Sequence, residues 1–120
     1  MDPCALVARF HQAINELDFA TIESFFSDDA RYASGKVGGL KGREEIMIAF
    51  RRYFEEYPDQ VAEDSLIEPV SPLAARAVWS LKATSSKTGA PLTRRGEETI
   101  TFDSEGKIVN VDVTDYDAAS

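Results

Sequence analysis

Apolar residues in the first half of the chain recur every three or four positions, which is the spacing of amphipathic helices. The first such stretch follows Asp2-Pro3, where Asp is a favourable N-cap and Pro is tolerated at the first helical position. Its apolar positions are Leu6, Val7, Phe10, Ala13, Ile14 and Leu17. The pattern predicts a helix here.

Two further helices are predicted before Pro58. Asp18 can cap a short second helix with an apolar stripe of Phe19, Ile22, Phe25 and Phe26. The third helix follows Gly42, carries two glutamates in its favourable first turn and ends before Pro58, because a residue preceding proline avoids helical geometry. Its stripe is Ile46, Ala49, Phe50, Tyr53, Phe54 and Tyr57.

The period changes from 3.6 to 2 near residue 61, which indicates strands. Before that point one short strand is predicted at 30–34, after a break at 27–29, and the glycines at 35, 38 and 39 predict an irregular loop. The later strands are predicted at 61–68, closed by the segment 69–72, and at 75–84, 92–102 and 107–116. Gly106 can supply the left-handed turn of a final hairpin.

Helices followed by strands predict an α+β fold: three N-terminal helices packed on a strongly curved, mostly antiparallel or mixed sheet. A sheet curled around three helices leaves an apolar cavity where the layers diverge, which is a default ligand site. We therefore expect a cone with an internal pocket.

Composition indicates one globular domain over residues 1–120, with 43% apolar and 10% aromatic residues. The formal net charge of −8 disfavours nucleic acid and anionic membrane surfaces as partners. No apolar run is long enough to span a bilayer, and no secretory signal precedes the first helix. Together with a single cysteine, Cys4, these features predict a cytoplasmic location.

The order and spacing of several short segments resemble the SnoaL-like branch of the nuclear-transport-factor-2-like superfamily, whose cone-shaped fold also includes ketosteroid isomerase. The segments that carry the resemblance are Phe10 with Asn15, 18–30, Gly42 with Ile46 and Phe50, Trp79, 96–103 and 106–108. The resemblance covers essentially the whole chain. It implies the fold and a homodimer formed through the sheet, but not one activity, because this fold hosts many functions.

The resemblance also implies where the polar groups of ketosteroid isomerase would fall. That enzyme uses an aspartate base together with a tyrosine and a protonated aspartate that stabilise the oxyanion. The tyrosine position corresponds to Phe10, the base to Ser34 and the second carboxyl group to Glu98. Two of the three groups are missing, which argues against steroid isomerisation by that mechanism.

Glu98 is the candidate catalytic residue. Strand alternation places it on the same face as Ile100 and Phe102, with Arg94 further along. A carboxyl group on a cavity wall could act as a general acid or base. The alternative is a shift of one residue in strand phase, which would place Glu97 inside and Glu98 in water.

The other expected pocket residues are mainly aromatic and aliphatic. Trp79 could form an aromatic wall or simply fill the core, and the Tyr32 hydroxyl could face either the cavity or water. The predicted lining residues are Phe10, Ile14, Tyr32, Ser34, Phe50, Phe54, Trp79, Ile100 and Val111.

Two charged or titratable residues are expected at the pocket mouth. His11, the only histidine, could touch the cavity rim and transfer protons, or be an ordinary surface residue. Arg94 could bind an anionic group of a ligand, or be an exposed base beside a loop. There is no cluster or spacing typical of a metal site, and no phosphate-binding loop, so no metal or cofactor is predicted.

Two functions from different classes remain open. The first is a small-molecule-binding protein, extending to a cofactor-independent isomerase, lyase or hydrolase that applies acid–base chemistry to a hydrophobic or carbonyl-containing ligand. The second is a non-catalytic dimerisation or partner-binding domain with a vestigial pocket.

Overall fold

The structure, a computed structural model, describes residues 1–34 and 38–116. Within those ranges it has three helices and six strands, which confirms the α+β fold class. The helices are α1 (Pro3–Asn15), α2 (Phe19–Phe25) and α3 (Arg43–Glu56). The strands are β1 (Phe26–Ser34), β2 (Gly38–Lys41), β3 (Val61–Ser71), β4 (Ala74–Thr84), β5 (Pro91–Phe102) and β6 (Ile108–Asp115).

The predicted helix starts have their expected capping geometry. Asp2 accepts a hydrogen bond from the backbone N–H of Cys4 at 3.0 Å, and Asp18 accepts one from the N–H of Thr21 at 3.2 Å. Each cap satisfies a backbone donor that has no partner within its helix. None of the described helices is long and apolar enough to cross a lipid bilayer.

All six strands form one mixed sheet in the order β2-β1-β6-β5-β4-β3. Strands β1 and β6 pair in parallel, and the other neighbours pair antiparallel. The parallel pair joins the strand that follows the first two helices to the last strand of the chain. The sheet therefore connects the N-terminal half of the chain to its C-terminal half.

Helices α1 and α3 pack on the sheet and enclose an aromatic core. α1 contacts β3, β4 and β5, whereas α3 contacts β1 and β2. Phe10 and Phe26 meet edge to face at the centre, with ring centroids 5.5 Å apart. The largest fully buried side chains are Val7, Phe10, Ile22, Phe26, Ile46, Ile100, Phe102, Ile108 and Val111.

The first two strands differ from the sequence-based expectation. β1 begins at Phe26 rather than Ala30. Its pairing with β6 shifts register between Phe26 and Arg31, and this irregular segment leaves the two aspartates exposed within the strand. Gly38 and Gly39 belong to β2 rather than to a loop, and β2 pairs with the end of β1. The rest of that predicted loop, 35–37, lies outside the described residues.

Strand β3 also extends beyond its predicted end. It continues through Pro69 to Ser71 instead of stopping at residue 68. Proline is tolerated because β3 is an edge strand, paired only with β4, so the missing N–H removes no hydrogen bond from a second neighbour. The hairpin between β5 and β6 was predicted correctly, with Gly106 at a φ of +81°.

Candidate active site

A cavity of about 130 Å³ lies between the helices and the sheet. Its wall is mostly apolar and aromatic, with a few polar side chains from α1, α3 and the strands. The residues that line it are His11, Ile14, Tyr32, Ser34, Leu40, Ala49, Phe50, Tyr53, Phe54, Gln60, Ala62, Trp79, Leu81, Arg94, Glu98 and Val113.

Two polar residues of the wall, His11 and Glu98, form a cluster of three side chains, Asp64–His11–Glu98, with Asp64, which does not itself line the cavity. Nδ1 of His11 lies 2.8 and 2.7 Å from the two carboxylate oxygens of Asp64. Nε2 of His11 lies within hydrogen-bond distance of Oε1 of Glu98. A carboxylate can only accept, and neutral imidazole has one N–H, so two such bonds require both ring nitrogens to be protonated. His11 is therefore an imidazolium ion.

The surroundings of His11 explain this charge state. Burial alone would lower the pKa of His11, but the negative charge of Glu98 and the hydrogen bonds to Asp64 and Glu98 outweigh it and raise the pKa to about 10. Only 12% of the His11 side chain is exposed. The cation is thus stabilised by its two partners rather than by water.

Docking of α1 on β3 brings His11 to Asp64. At the end of α1, Asn15 forms two hydrogen bonds with the backbone of Ala62: its Nδ2 donates to the carbonyl oxygen, and its Oδ1 accepts from the N–H. His11 lies one helical turn before Asn15, and Asp64 lies two strand residues after Ala62. One helical turn keeps His11 on the same face of α1 as Asn15, and two strand residues keep Asp64 on the same face of β3 as Ala62.

The phase of β5 places Glu98 inside. Glu98 is 7% exposed, between the buried Gly96 and Ile100, and its cross-strand partners are Ala77 on β4 and Val113 on β6. Glu97 points to the opposite face, where it forms an ion pair with Arg76. The alternative phase, with Glu97 inside, is therefore not the one that forms.

A second group of polar side chains surrounds Arg94. Its Nη2 donates to both carboxylate oxygens of Asp115, at 2.9 and 3.2 Å, and its Nη1 lies 3.5 Å from the Tyr53 hydroxyl. The guanidinium carbon lies 5.3 Å from the centre of the Trp79 ring. Asp115 balances the positive charge of Arg94 inside the protein.

Tyr32 lines the cavity from β1. Burial, together with the negative charge of Glu98, raises the pKa of Tyr32 well above its usual range. The phenol therefore stays protonated at any physiological pH and can donate a hydrogen bond. Its ring packs edge to face on Phe50, with centroids 5.5 Å apart.

A family model for the SnoaL-like domain matches residues 7–111, which is most of the chain. The chain belongs to the SnoaL-like domain family. This finding confirms the resemblance inferred from the sequence segments. No curated protein matches the chain.

Solved structures show the same fold as this SnoaL-like domain at low sequence identity. An NTF2-like protein of unknown function from Exiguobacterium sp. 255-15 superposes with a TM-score of 0.83 at 18% identity, covering 94% of this chain and 99% of that one. SalBIII, an epoxide hydrolase/cyclase-like enzyme of pyran ring formation in the polyether salinomycin, gives 0.82 at 16%, with coverages of 92% and 88%. RV0760c from Mycobacterium tuberculosis, in complex with estradiol-17β-hemisuccinate, gives 0.81 at 17%, with coverages of 97% and 94%.

Most of the predicted pocket residues line the cavity of this SnoaL-like domain. These are Ile14, Tyr32, Ser34, Phe50, Phe54 and Trp79, together with Glu98. Phe10, Ile100 and Val111 were also expected on the wall, but they lie in the core and do not line the cavity. Each is 1% exposed or less; Phe10, for example, packs edge to face against Phe25 and Phe26.

The two residues expected at the mouth have different surroundings from those predicted. His11 is enclosed between two carboxylates, neither on an open rim nor on the surface. Arg94 is held by Asp115, so it is not a free cation awaiting an anionic ligand. Both corrections have one cause: the charged partners come from other strands, β3 and β5 for His11 and β6 for Arg94.

Sequence reasoning missed Asp64, Tyr53 and Gln60. Asp64 had a detectable signal, because alternation within β3 places it on the same face as Ala62, and an acid on an inward face needs a partner. Among residues 1–34 and 38–116, no group of three or more His, Cys, Asp or Glu side chains is arranged to hold a metal ion. In the Asp64–His11–Glu98 cluster the imidazolium has no lone pair to offer a metal.

Proposed function

We propose that this SnoaL-like domain is an enzyme that uses its own side chains to transfer protons on a hydrophobic, carbonyl-containing substrate. The observation that carries the proposal is Glu98, a carboxylate that is 7% exposed, lines an apolar cavity and is held by the imidazolium of His11. Charged side chains are seldom buried without a partner or a task, and proton-transfer groups are a frequent reason.

The proposed step is abstraction of a proton from the carbon next to the substrate carbonyl. Glu98 takes the proton, the C–H electron pair forms a carbon–carbon double bond, and the carbonyl electrons move onto oxygen. The neutral phenol of Tyr32 donates a hydrogen bond to that oxygen. Return of the proton from Glu98 to the same or another carbon completes an exchange or an isomerisation.

His11 and Asp64 act as positioning residues in this scheme. His11 occupies one oxygen of Glu98, which leaves the other oxygen for the substrate. Asp64 in turn accepts from the opposite ring nitrogen and fixes the orientation of the imidazolium. Such support holds a reacting group within the small tolerance that catalysis needs.

The structural neighbours support the choice of ligand class. RV0760c has been crystallised with estradiol-17β-hemisuccinate, which is a hydrophobic molecule bearing oxygen groups. SalBIII takes part in pyran ring formation. The apolar wall of the cavity here suits molecules of the same general character.

Hydrogen–deuterium exchange tests the catalytic proposal without knowledge of the natural substrate. Hydrophobic methyl ketones are first screened for binding through the fluorescence of Trp79, the only tryptophan, which lines the cavity. Bound ketones are then incubated in D₂O, and proton NMR follows loss of the signal next to the carbonyl. Wild-type protein should accelerate this loss, and E98Q should reduce the acceleration at least 100-fold, the usual scale of a general base.

E97Q is the matched control, because Glu97 has the same charge one residue away and faces outward toward Arg76. It should exchange ketone protons at the wild-type rate. Ketones that bind but show no enzyme-dependent exchange, or equal rates in wild type and E98Q, would remove Glu98 from the chemistry.

We also propose that two copies associate through the sheet. The support is a run of exposed apolar side chains on β3 and the turn after it, Val61, Leu66, Val70 and Leu73. Light scattering after gel filtration should give twice the chain mass for wild type and for the control E63Q, and the single-chain mass for V70K. A single-chain mass for wild type contradicts this proposal.

A further inference from the structure

The volume available inside the cavity limits the size of its ligand. It is about 130 Å³. Pockets that take drug-sized molecules usually measure ~300–1,000 Å³. An engineered cavity of about 150 Å³ in another protein binds benzene. The cavity here therefore has room for one six-membered ring, provided that its walls do not move apart.

The wall formed by β1 and α3 is a continuous row of aromatic rings. Tyr32 and Phe50 meet edge to face, with centroids 5.5 Å apart. Phe54 meets Phe50 at 6.2 Å and Tyr53 at 5.1 Å, also edge to face. A ring that turned aside to admit a larger ligand would lose a favourable contact with its neighbour. This wall therefore resists expansion.

The wall formed by β4 and β5 is also held in place. A Cβ added at Gly96 would lie 2.8 Å from Cζ2 of Trp79, so no free space separates the indole ring from β5. The guanidinium carbon of Arg94 lies 5.3 Å from the centre of the same ring, and Asp115 holds that guanidinium through two hydrogen bonds. The Arg94 and Asp115 side chains are only 14% and 8% exposed. Trp79 therefore cannot move back toward β5, and it cannot move toward Arg94 without disturbing a largely buried ion pair.

We propose that the substrate is a monocyclic ketone of about the size of cyclohexanone, and that these two walls exclude molecules with fused rings. A second fused ring would need space that an aromatic side chain or the Arg94–Asp115 ion pair now occupies. Glu98 and Tyr32 both line the cavity, so one small ring that fills it can contact both. This inference rests on the proposed function, which supplies the ketone, and adds the size and shape of the molecule.

Two ketones that differ by one fused ring test the size limit. Cyclohexanone has a single ring, and 2-decalone has the same ring with a second one fused to it. Binding is followed by Trp79 fluorescence and by calorimetry. Wild-type protein should bind cyclohexanone at least about tenfold more tightly, because admitting the second ring overpacks the cavity.

Buried apolar area alone predicts the reverse order, since 2-decalone is the larger hydrophobic molecule. Equal binding of the two ketones, or tighter binding of 2-decalone, would therefore overturn the proposal. Absence of cyclohexanone binding would overturn it as well.

L81A should reverse the preference of the wild type. Leu81 is 8% exposed and lines the cavity from β4, so its loss leaves a space that the second ring can fill. L6A is the matched control, because Leu6 loses the same atoms but packs against the core and is not among the described residues that line the cavity. It should keep the wild-type order. An unchanged order in L81A contradicts the size limit, and the wild-type order decides the matter if L81A does not fold.

Failure of the size limit and failure of the catalytic proposal give different results. Cyclohexanone that binds preferentially, but shows no enzyme-dependent exchange in D₂O of the protons next to its carbonyl, overturns the role of Glu98 alone. 2-Decalone that binds and exchanges as well as cyclohexanone overturns the size limit alone.

Discussion

Gly96 is the residue at which β5 packs most closely against its neighbours. A Cβ added there would collide with the carbonyl oxygen of Thr114 on β6 and lie 2.8 Å from Cζ2 of Trp79 on β4. The backbone oxygen cannot move without breaking the ladder, and the indole ring forms part of the cavity wall. Glycine therefore leaves room for the six-membered ring of Trp79 to pack against β5 two residues from Glu98.

We expect G96A to lower the free energy of unfolding by ~1–3 kcal/mol, the usual cost of overpacking a tight site. Urea denaturation followed by circular dichroism measures this loss, and Trp79 emission should shift as the ring is displaced. G39A is the control, because an added Cβ at Gly39 meets no atom of residues 1–34 and 38–116 within 4 Å and the backbone there is not left-handed. Equal stability of the two variants would show that β5 can relax around the methyl group.

The site residues differ in how far the sequence could predict them. Glu98 could be grouped with Ile100 and Phe102, because alternation along a single strand decides which residues share a face, but only the structure shows that this face, and not the one carrying Glu97, lies inside. The role of His11 could not be predicted, since its two partners lie 53 and 87 positions further along the chain. Sequence spacing does not show that these side chains come close together, because their distances depend on how α1 packs against the sheet. Asp64 was visible only as an acid on an inward-facing position.

At the level of elements, local signals predicted the helices better than the strand ends. Caps at Asp2 and Asp18 are formed by side chains within the same turn, so the sequence contains the whole interaction. The Gly-Gly-Leu-Lys segment of β2 has almost no strand preference of its own and forms because β1 offers an edge. Pro69 looked like a strand terminator because its position at the sheet edge could not be known.

For the molecule as a whole, the change from helical to strand periodicity along the chain predicted the fold class. It did not predict the order of the strands in the sheet. The parallel pairing of β1 with β6 joins segments some 80 residues apart, and it leaves β3 as an open edge. That arrangement fixes where the cavity forms. It also means that the Asp64–His11–Glu98 cluster joins α1, β3 and β5, so its charges contribute to the stability of the entire fold.

The raised pKa of His11 predicts how the whole molecule responds to alkali. The folded state binds a proton at His11 up to pH about 10, whereas the unfolded chain releases it near ~6.5. This contribution to stability is complete below pH ~6.5 and is lost as pH rises toward 10, by up to ~1.4 kcal/mol per pH unit.

Urea denaturation of wild type and H11Q at several pH values between 7 and 9.5 measures this loss of stability. The stability of wild type should fall more steeply than that of H11Q, which has no proton to lose at this position. D64N should retain a smaller loss that ends at a lower pH, because His11 keeps only Glu98 as its partner. Parallel curves for wild type and H11Q would mean that folding does not raise the pKa of His11, and would contradict its assignment as an imidazolium ion stabilised by Asp64 and Glu98.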